Sequence, residues 1–152
     1  MIQADISDKV TIVTGASAGM GAAIAKRFAS SGSRVVLAGR RLDRLQDLAE
    51  QINQSGGTAL AAQCDVTNWS QVESLVETTL QEYGQIDVMI NNAGFGHLKS
   101  FAQTSVEEIE SQIDVNFKGL CYGSKAVLEH MLSRRSAHII NLGSVGSVRH
   151  YP

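Results

Sequence analysis

No run of apolar residues in this sequence reaches the length needed to cross a membrane, and Met1 to Lys9 lacks a hydrophobic signal region. The expectation is a cytoplasmic protein with no membrane partner. Positive charge is also scarce, with 13 Lys and Arg against 15 Asp and Glu and a net charge of −2. The clusters Arg40-Arg41 and Arg134-Arg135 are too small to track a phosphate backbone, so nucleic acid is not an expected partner. The two cysteines, Cys64 and Cys121, lie in apolar neighbourhoods without C-x-x-C spacing, which argues against a zinc site or a disulfide framework and reads both as small core residues. His97, His130, His138 and His150 show no paired metal-ligand spacing, and no metal is expected. There is no internal repeat and no low-complexity tract. What remains is an ordinary globular composition, 43% hydrophobic and 18% charged over 152 residues, expected to form a single domain spanning 1–152.

The most informative stretch is Thr14-Gly15-Ala16-Ser17-Ala18-Gly19-Met20-Gly21. Val10-Thr11-Ile12-Val13 before it is β-branched and reads as a short buried strand, while Met20, Ala23, Ile24, Arg27 and Phe28 after it fall at helical spacing. Glycines at such a junction let an anion approach the unpaired amides of the first helical turn, where the helix dipole is positive. The spacing G-x-x-x-G-x-G departs from G-x-G-x-x-G, and no Gly-Lys-Ser/Thr follows to make an NTPase loop. Taken alone, the turn is equally well a tight connection between strand and helix.

Along the chain, Arg34 to Ala38 is a second strand, and Leu42, Leu45, Leu48, Ala49 and Ile52 mark a helix ended by Gly56-Gly57. Ala59 to Cys64 is accepted as a third strand from its position, since alanine is a poor strand former. Val72, Leu75, Val76, Leu80 and Tyr83 mark a third helix with Asn68 as its N-cap and Gln71 three residues on. A fourth strand runs from Ile86 to Asn91, and Ser105-Val106-Glu107-Glu108 is a capping-box sequence opening the next helix. Its apolar positions, from Ile109 through Ile113, Phe117, Leu120 and Cys121 to Val127, Leu128 and Met131, run too far for one straight helix, so a bend or break is expected. His138 to Leu142 forms a fifth strand, followed by a turn over Gly143 to Ser147. Alternating strands and helices imply right-handed crossovers and a doubly wound parallel α/β sheet of Rossmann type with helices on both faces. Ligands bind such sheets at the carboxyl ends of the strands, where Gly15, Asp65, Asn91 and Ser144 would line one crevice. With nothing after the fifth strand to cover its far side, Ile139 and Ile140 would leave an apolar edge that invites another chain.

A second motif, Asn91-Asn92-Ala93-Gly94, stands directly after the apolar run Ile86-Asp87-Val88-Met89-Ile90. By itself such an asparagine pair is most often a turn satisfied by its own side chains. The combination of T-G-x-x-x-G-x-G with N-N-A-G is far more specific than either half, and it resembles the short-chain dehydrogenase/reductase family. The resemblance covers essentially the whole chain and implies a nicotinamide-dependent oxidoreductase that interconverts an alcohol and a carbonyl on a small molecule. It implies that Gly15, Ser17, Gly19, Met20 and Gly21 cradle the pyrophosphate, that Asp65 and Val66 meet the adenine, and that Asn91, Ala93 and Gly94 flank the ribose and support the central strand. It also assigns Ser144 to the substrate carbonyl or alcohol and Asn116 to a proton relay, and it implies a homo-oligomer for the full-length form.

Cofactor choice follows from local chemistry. An NAD site needs an acidic side chain near the end of the second strand, whereas this chain reads Ala38-Gly39-Arg40-Arg41, and guanidinium groups suit a 2′-phosphate. NADP(H) is therefore expected over NAD(H), although Ala18 stands where many NADP-preferring relatives carry a basic residue. The departure from the family is the absence of Y-x-x-x-K. Asp87 follows Tyr83 at that spacing, Ala126 follows Tyr122, and Tyr151 comes seven residues after Ser144, directly before Pro152. A tyrosine working near neutral pH needs its pKa lowered by about three units, roughly 4 kcal/mol, which a neighbouring lysine supplies. The expectation is a cofactor-binding portion that turns over little or nothing alone, the alternative being a non-catalytic NADP(H)-binding module or an inactive fragment.

Overall fold

The computed structural model describes residues 5–97, 99–134 and 137–144. Five parallel strands, β1 (Val10–Thr14), β2 (Arg34–Gly39), β3 (Thr58–Gln63), β4 (Val88–Asn91) and β5 (His138–Asn141), are hydrogen-bonded in the order β3-β2-β1-β4-β5. The chain winds outward from β1 through β2 to β3, then returns to the other side of β1 for β4 and β5. The order therefore reverses between β1 and β4, and a crevice opens there beyond the carboxyl ends of the strands.

The strand period of two sorts each strand's side chains onto two faces. Val13, Val35, Leu37, Val88 and Ile90 meet α1 (Gly19–Ser30) and α2 (Leu42–Gln54), which contribute Ala25, Ala29, Leu45, Leu48 and Ile52. Ile12, Val36, Ala38 and Met89 meet α3 (Trp69–Tyr83) and α5 (Gly119–Arg134) through Val72, Leu75, Val76, Val127 and Met131. Each fully buried Val, Leu or Ile contributes about 1.5–3 kcal/mol relative to exposure. The alanine-rich third strand forms because β2 pairs with it along its whole length, from Arg34–Thr58 to Gly39–Gln63. Neighbouring hydrogen bonds outweigh weak propensity there.

Some expectations hold and others are corrected. The buried face of α1 is Gly21, Ala25 and Ala29, while Met20, Ala23 and Arg27 face solvent, because small residues let this helix lie close to the sheet. Asn68 caps α3 by accepting the Gln71 amide at 3.3 Å, but the Gln71 side chain turns away and accepts the Asp65 amide at 2.8 Å. The capping box at Ser105 and Glu108 forms in both directions and opens α4 (Val106–Ile113). Between α4 and α5 the helix does not break; it passes through a π-helical turn, Asp114–Lys118, whose extra residue resets the face presented to the sheet. That reset leaves Ile113, Phe117 and Cys121 exposed, Cys121 against its reading as a core residue, while Gly119, Gly123, Val127 and Met131 are buried.

The amino-terminal end of the sheet is closed by a buried carboxylate. Asp87 accepts from the Val10 amide at 2.8 Å, from Gln85 Nε2 at 2.8 Å and from Arg134 Nη2 at 3.2 Å, with Lys9 Nζ 3.8 Å away. These bonds pin β1, β4 and α5 together at the end opposite the crevice.

Candidate functional site

The glycine turn leaves β1 with Gly15 at φ +66° and enters α1 with Gly19 at φ +56°, both in the left-handed region that disfavours a side chain. A Cβ at Gly15 would stand 2.8 Å from Ala93 Cα, so this glycine lets the segment after β4 pack directly on the turn. A Cβ at Gly21 would collide with the carbonyl oxygen of Gly15 and with Asn92 Nδ2. At Gly19 a Cβ would meet nothing within 4 Å, so the space beside that amide stays open to a ligand. Helix α1 starts without a side-chain cap and without an acidic residue in its first turn. Its amino-terminal amides and positive dipole end therefore face open space, an arrangement suited to an anion.

The turn is held by its neighbours. The Ala16 amide donates to Ala38 O at 3.1 Å, and Asn92 Nδ2 donates to Thr14 O at 2.8 Å. Thr14 Oγ1 accepts the amides of Asn92 and Ala93, each at 3.1 Å. Asn92 thus stitches β4 to β1 and does not satisfy its own turn. Thr14 and Asn92 were not among the residues expected to shape the site, and the doubled asparagine was the available signal.

The crevice has a volume of about 760 Å³. It brings together Gly15, Ser17, Gly19, Met20 and Gly21 from the turn, Arg40 and Arg41 after β2, Asp65 and Val66 after β3, and Ala93 and Gly94 after β4. Gly39, Cys64, Phe95 and Val115 also line it and were missed, and so does Ala18, the position weighed above for a basic residue. The guanidinium of Arg41 reaches across to the glycine turn, donating to Ser17 Oγ from Nη2 at 2.8 Å and from Nε at 3.2 Å. Burial pushes the Cys64 thiol up to about 11, with the neighbouring Asp65 charge adding to the effect.

Three expected residues stand apart from the lining. Asn91 is buried beneath it, because the strand alternation turns its side chain toward α5 and β5, where Nδ2 donates to Ser124 Oγ at 3.0 Å and to Asn141 Oδ1 at 2.8 Å. Its Oδ1 lies without a hydrogen-bond partner beside Gly123, where any Cβ would strike it. Asn116, in the π-turn, clamps the loop after β4: Oδ1 accepts the Phe95 amide at 2.9 Å, and Nδ2 donates to Phe95 O at 2.8 Å. Ser144 is exposed beyond the end of β5. Of the tyrosines, Tyr83 packs under Arg34, whose guanidinium carbon lies 5.6 Å from the ring centre, and Tyr122 meets Trp69 edge-on at 5.3 Å. Tyr151 lies outside the described residues. Among the described residues no group of three His, Cys, Asp or Glu side chains can hold a metal ion, and no helix is long and apolar enough to cross a membrane.

A five-stranded parallel sheet with helices on both faces and a glycine turn at its switch point defines a Rossmann-type α/β protein. The short chain dehydrogenase family model matches residues 9–152, and the chain belongs to the short-chain dehydrogenase/reductase family. It is 42% identical over 142 residues to an uncharacterised oxidoreductase of Staphylococcus saprophyticus, covering 93% of this chain and 61% of that one. A second uncharacterised oxidoreductase, from Listeria innocua, is 38% identical over 147 residues, covering 97% of this chain and 59% of that one. Among solved structures, a short-chain dehydrogenase/reductase from Burkholderia phymatum in complex with NAD superposes with a TM-score of 0.94 at 29% identity, covering 99% of this chain and 54% of that one. The chain thus spans about 60% of these relatives and about half of that structure.

Proposed function

We propose that this chain is the cofactor-binding portion, a single domain, of an NADP(H)-dependent oxidoreductase that interconverts an alcohol and a carbonyl on a small molecule. The observation that carries the cofactor choice is the Arg41 guanidinium drawn onto Ser17 at the rim of the crevice. Arg41 is the residue before the first turn of α2, where the helix dipole repels a cation. A ribose 2′-phosphate at that point would offset both the dipole and the guanidinium charge, and the two residues directly after β2, Arg40 and Arg41, offer no carboxylate to a free 2′-hydroxyl, the first acidic residue being Asp43 within α2. A second reading, NAD(H), has its own support. Arg40 also lines a smaller cavity of about 290 Å³ with Asp65, Glu107, Glu110 and Asp114, carboxylates that can hold its charge away from a phosphate, and the Burkholderia phymatum relative carries NAD.

The residues present fit a dinucleotide. The open space beside Gly19 and the uncapped start of α1 suit the pyrophosphate, together with Gly15, Ser17, Met20 and Gly21. Asp65 and Val66 would take the adenine, and Ala93 and Gly94 would border the ribose above Asn91, which supports the strand end. When bound, the nicotinamide supplies or accepts the hydride. Ser144 would orient the substrate oxygen, and Asn116 would serve the proton relay while holding the Phe95 loop in place. The exposed Ile113, Phe117, Leu128 and Leu132 support a homo-oligomer in the full-length form.

Titration with NADPH and NADH tests the reading. Replacing Arg40 and Arg41 by alanine should weaken NADPH binding tenfold or more, on the order of 1.4 kcal/mol, with NADH nearly unchanged. Equal losses for both would overturn the NADP(H) preference.

A further inference from the structure

We infer that Gly119 is a positioning residue for the adenosine end of the crevice, acting through its contact with Val66; the inference rests on the cofactor reading above. Gly119 has ordinary helical backbone angles, φ −59° and ψ −41°. Nothing in that conformation calls for glycine, and glycine inside a helix costs about 1 kcal/mol relative to alanine. The reason for it lies across the interface. A Cβ at Gly119 would stand 2.6 Å from Val66 Cγ2 and 3.0 Å from Val66 Cβ.

Val66 is itself buried and lines the crevice beside Asp65. The loop carrying both is tied into one unit. Asp65 Oδ1 accepts from the Thr67 amide at 3.0 Å and from Thr67 Oγ1 at 2.9 Å, and the Asn68 amide donates to Asp65 O at 3.0 Å. Gln71 Oε1 holds the Asp65 amide at 2.8 Å. A loop closed on itself in this way moves as a body, so a push on Val66 displaces Asp65 with it. The loop leads into α3, whose Trp69 meets Tyr122 edge-on at 5.3 Å, one turn along α5 from Gly119. Helix α5 therefore sets the height of the loop at two points, and at the nearer one only a glycine fits. Val115 of the preceding π-turn lines the same crevice.

The test is a titration of the complete natural polypeptide with NADPH, NADH and reduced nicotinamide mononucleotide, which lacks the adenosine half. Gly119→Ala should weaken NADPH and NADH equally, by tenfold or more, and change the mononucleotide less than twofold. Adding Val66→Ala, which removes the clashing Cγ2, should recover most of the lost dinucleotide affinity. Recovery of fold and affinity together in the double variant supports the inference even where Gly119→Ala alone does not fold. Unchanged dinucleotide binding in Gly119→Ala overturns it, as does a loss shared by the mononucleotide and not relieved by Val66→Ala. A wild-type protein that binds none of the three probes removes the cofactor reading, and this inference with it.

Discussion

The hydroxyl of Thr14, at the end of β1, accepts the backbone amides of Asn92 and Ala93, just beyond β4, each at 3.1 Å. The Asn92 carboxamide returns a bond to Thr14 O at 2.8 Å. This exchange spans the switch point of the sheet and fixes the gap between the two loops that border the crevice. Thr14→Val keeps the shape of the side chain but leaves the Ala93 amide unpaired in a part-buried place, while the Asn92 amide keeps its bond to Ile90 O at 3.1 Å. An unpaired donor costs about 1–3 kcal/mol. The expected outcome is a lower denaturation midpoint with an unchanged denaturant slope, read by urea unfolding, and a weaker NADPH titration; wild-type stability would show the bonds to be dispensable.

The glycines of the turn should separate folding from binding. At Gly21 an added methyl meets the Gly15 carbonyl and Asn92, so Gly21→Ala should lower the thermal midpoint. At Gly19 the methyl meets nothing, and the penalty is the left-handed backbone alone, about 1–2 kcal/mol. Gly19→Ala should therefore stay folded while losing NADPH affinity more than tenfold. Retained affinity in that folded variant would move the pyrophosphate away from this amide.

Two thiols give a pH test. Cys64 is buried and its thiol is pushed up to about 11, whereas Cys121 is exposed. At mild alkaline pH a thiol reagent should label Cys121 quickly and leave Cys64 untouched until the protein unfolds. Because the folded state holds the Cys64 proton more tightly than the unfolded chain, with its ordinary value of 9.0, stability should fall as pH rises from about 9 to about 11. Replacing Cys64 by alanine should flatten that part of the stability profile, and an unchanged slope would assign the effect to other groups.

The 152-residue polypeptide by itself contains no Y-x-x-x-K. Ser144 can orient a carbonyl, but moving the proton calls for an acid or base whose pKa lies near the working pH. Supplied with NADPH and a panel of small ketones and aldehydes, it is expected to show no turnover above background. Robust oxidation of NADPH would identify another acid in the chain.

How much of this was legible beforehand depends on the range of the interaction concerned. The strands other than β3, the amphipathic stripe of α2, the cap at Asn68 and the box at Ser105 are written in local patterns of two, three and four residues, and the structure follows them. The π-turn did not announce itself, because a single extra residue leaves the apolar residues of 109–131 looking like one long helix. Only packing against Val66, Met89 and Asn91 shows which side of it is inner.

By itself the sequence determined the alternation of strand and helix, the glycine turn at the first junction and the two arginines after β2, since each depends on residues near one another in the chain. The tertiary structure alone decided that Asn92 would reach Thr14 and that Asn91 would sink beneath the crevice. It alone decided that Arg41 would lean onto Ser17 and that Cys121 would stand in solvent. Those outcomes depend on which distant segments the sheet order brings within hydrogen-bond reach, and a linear pattern carries no measure of that distance.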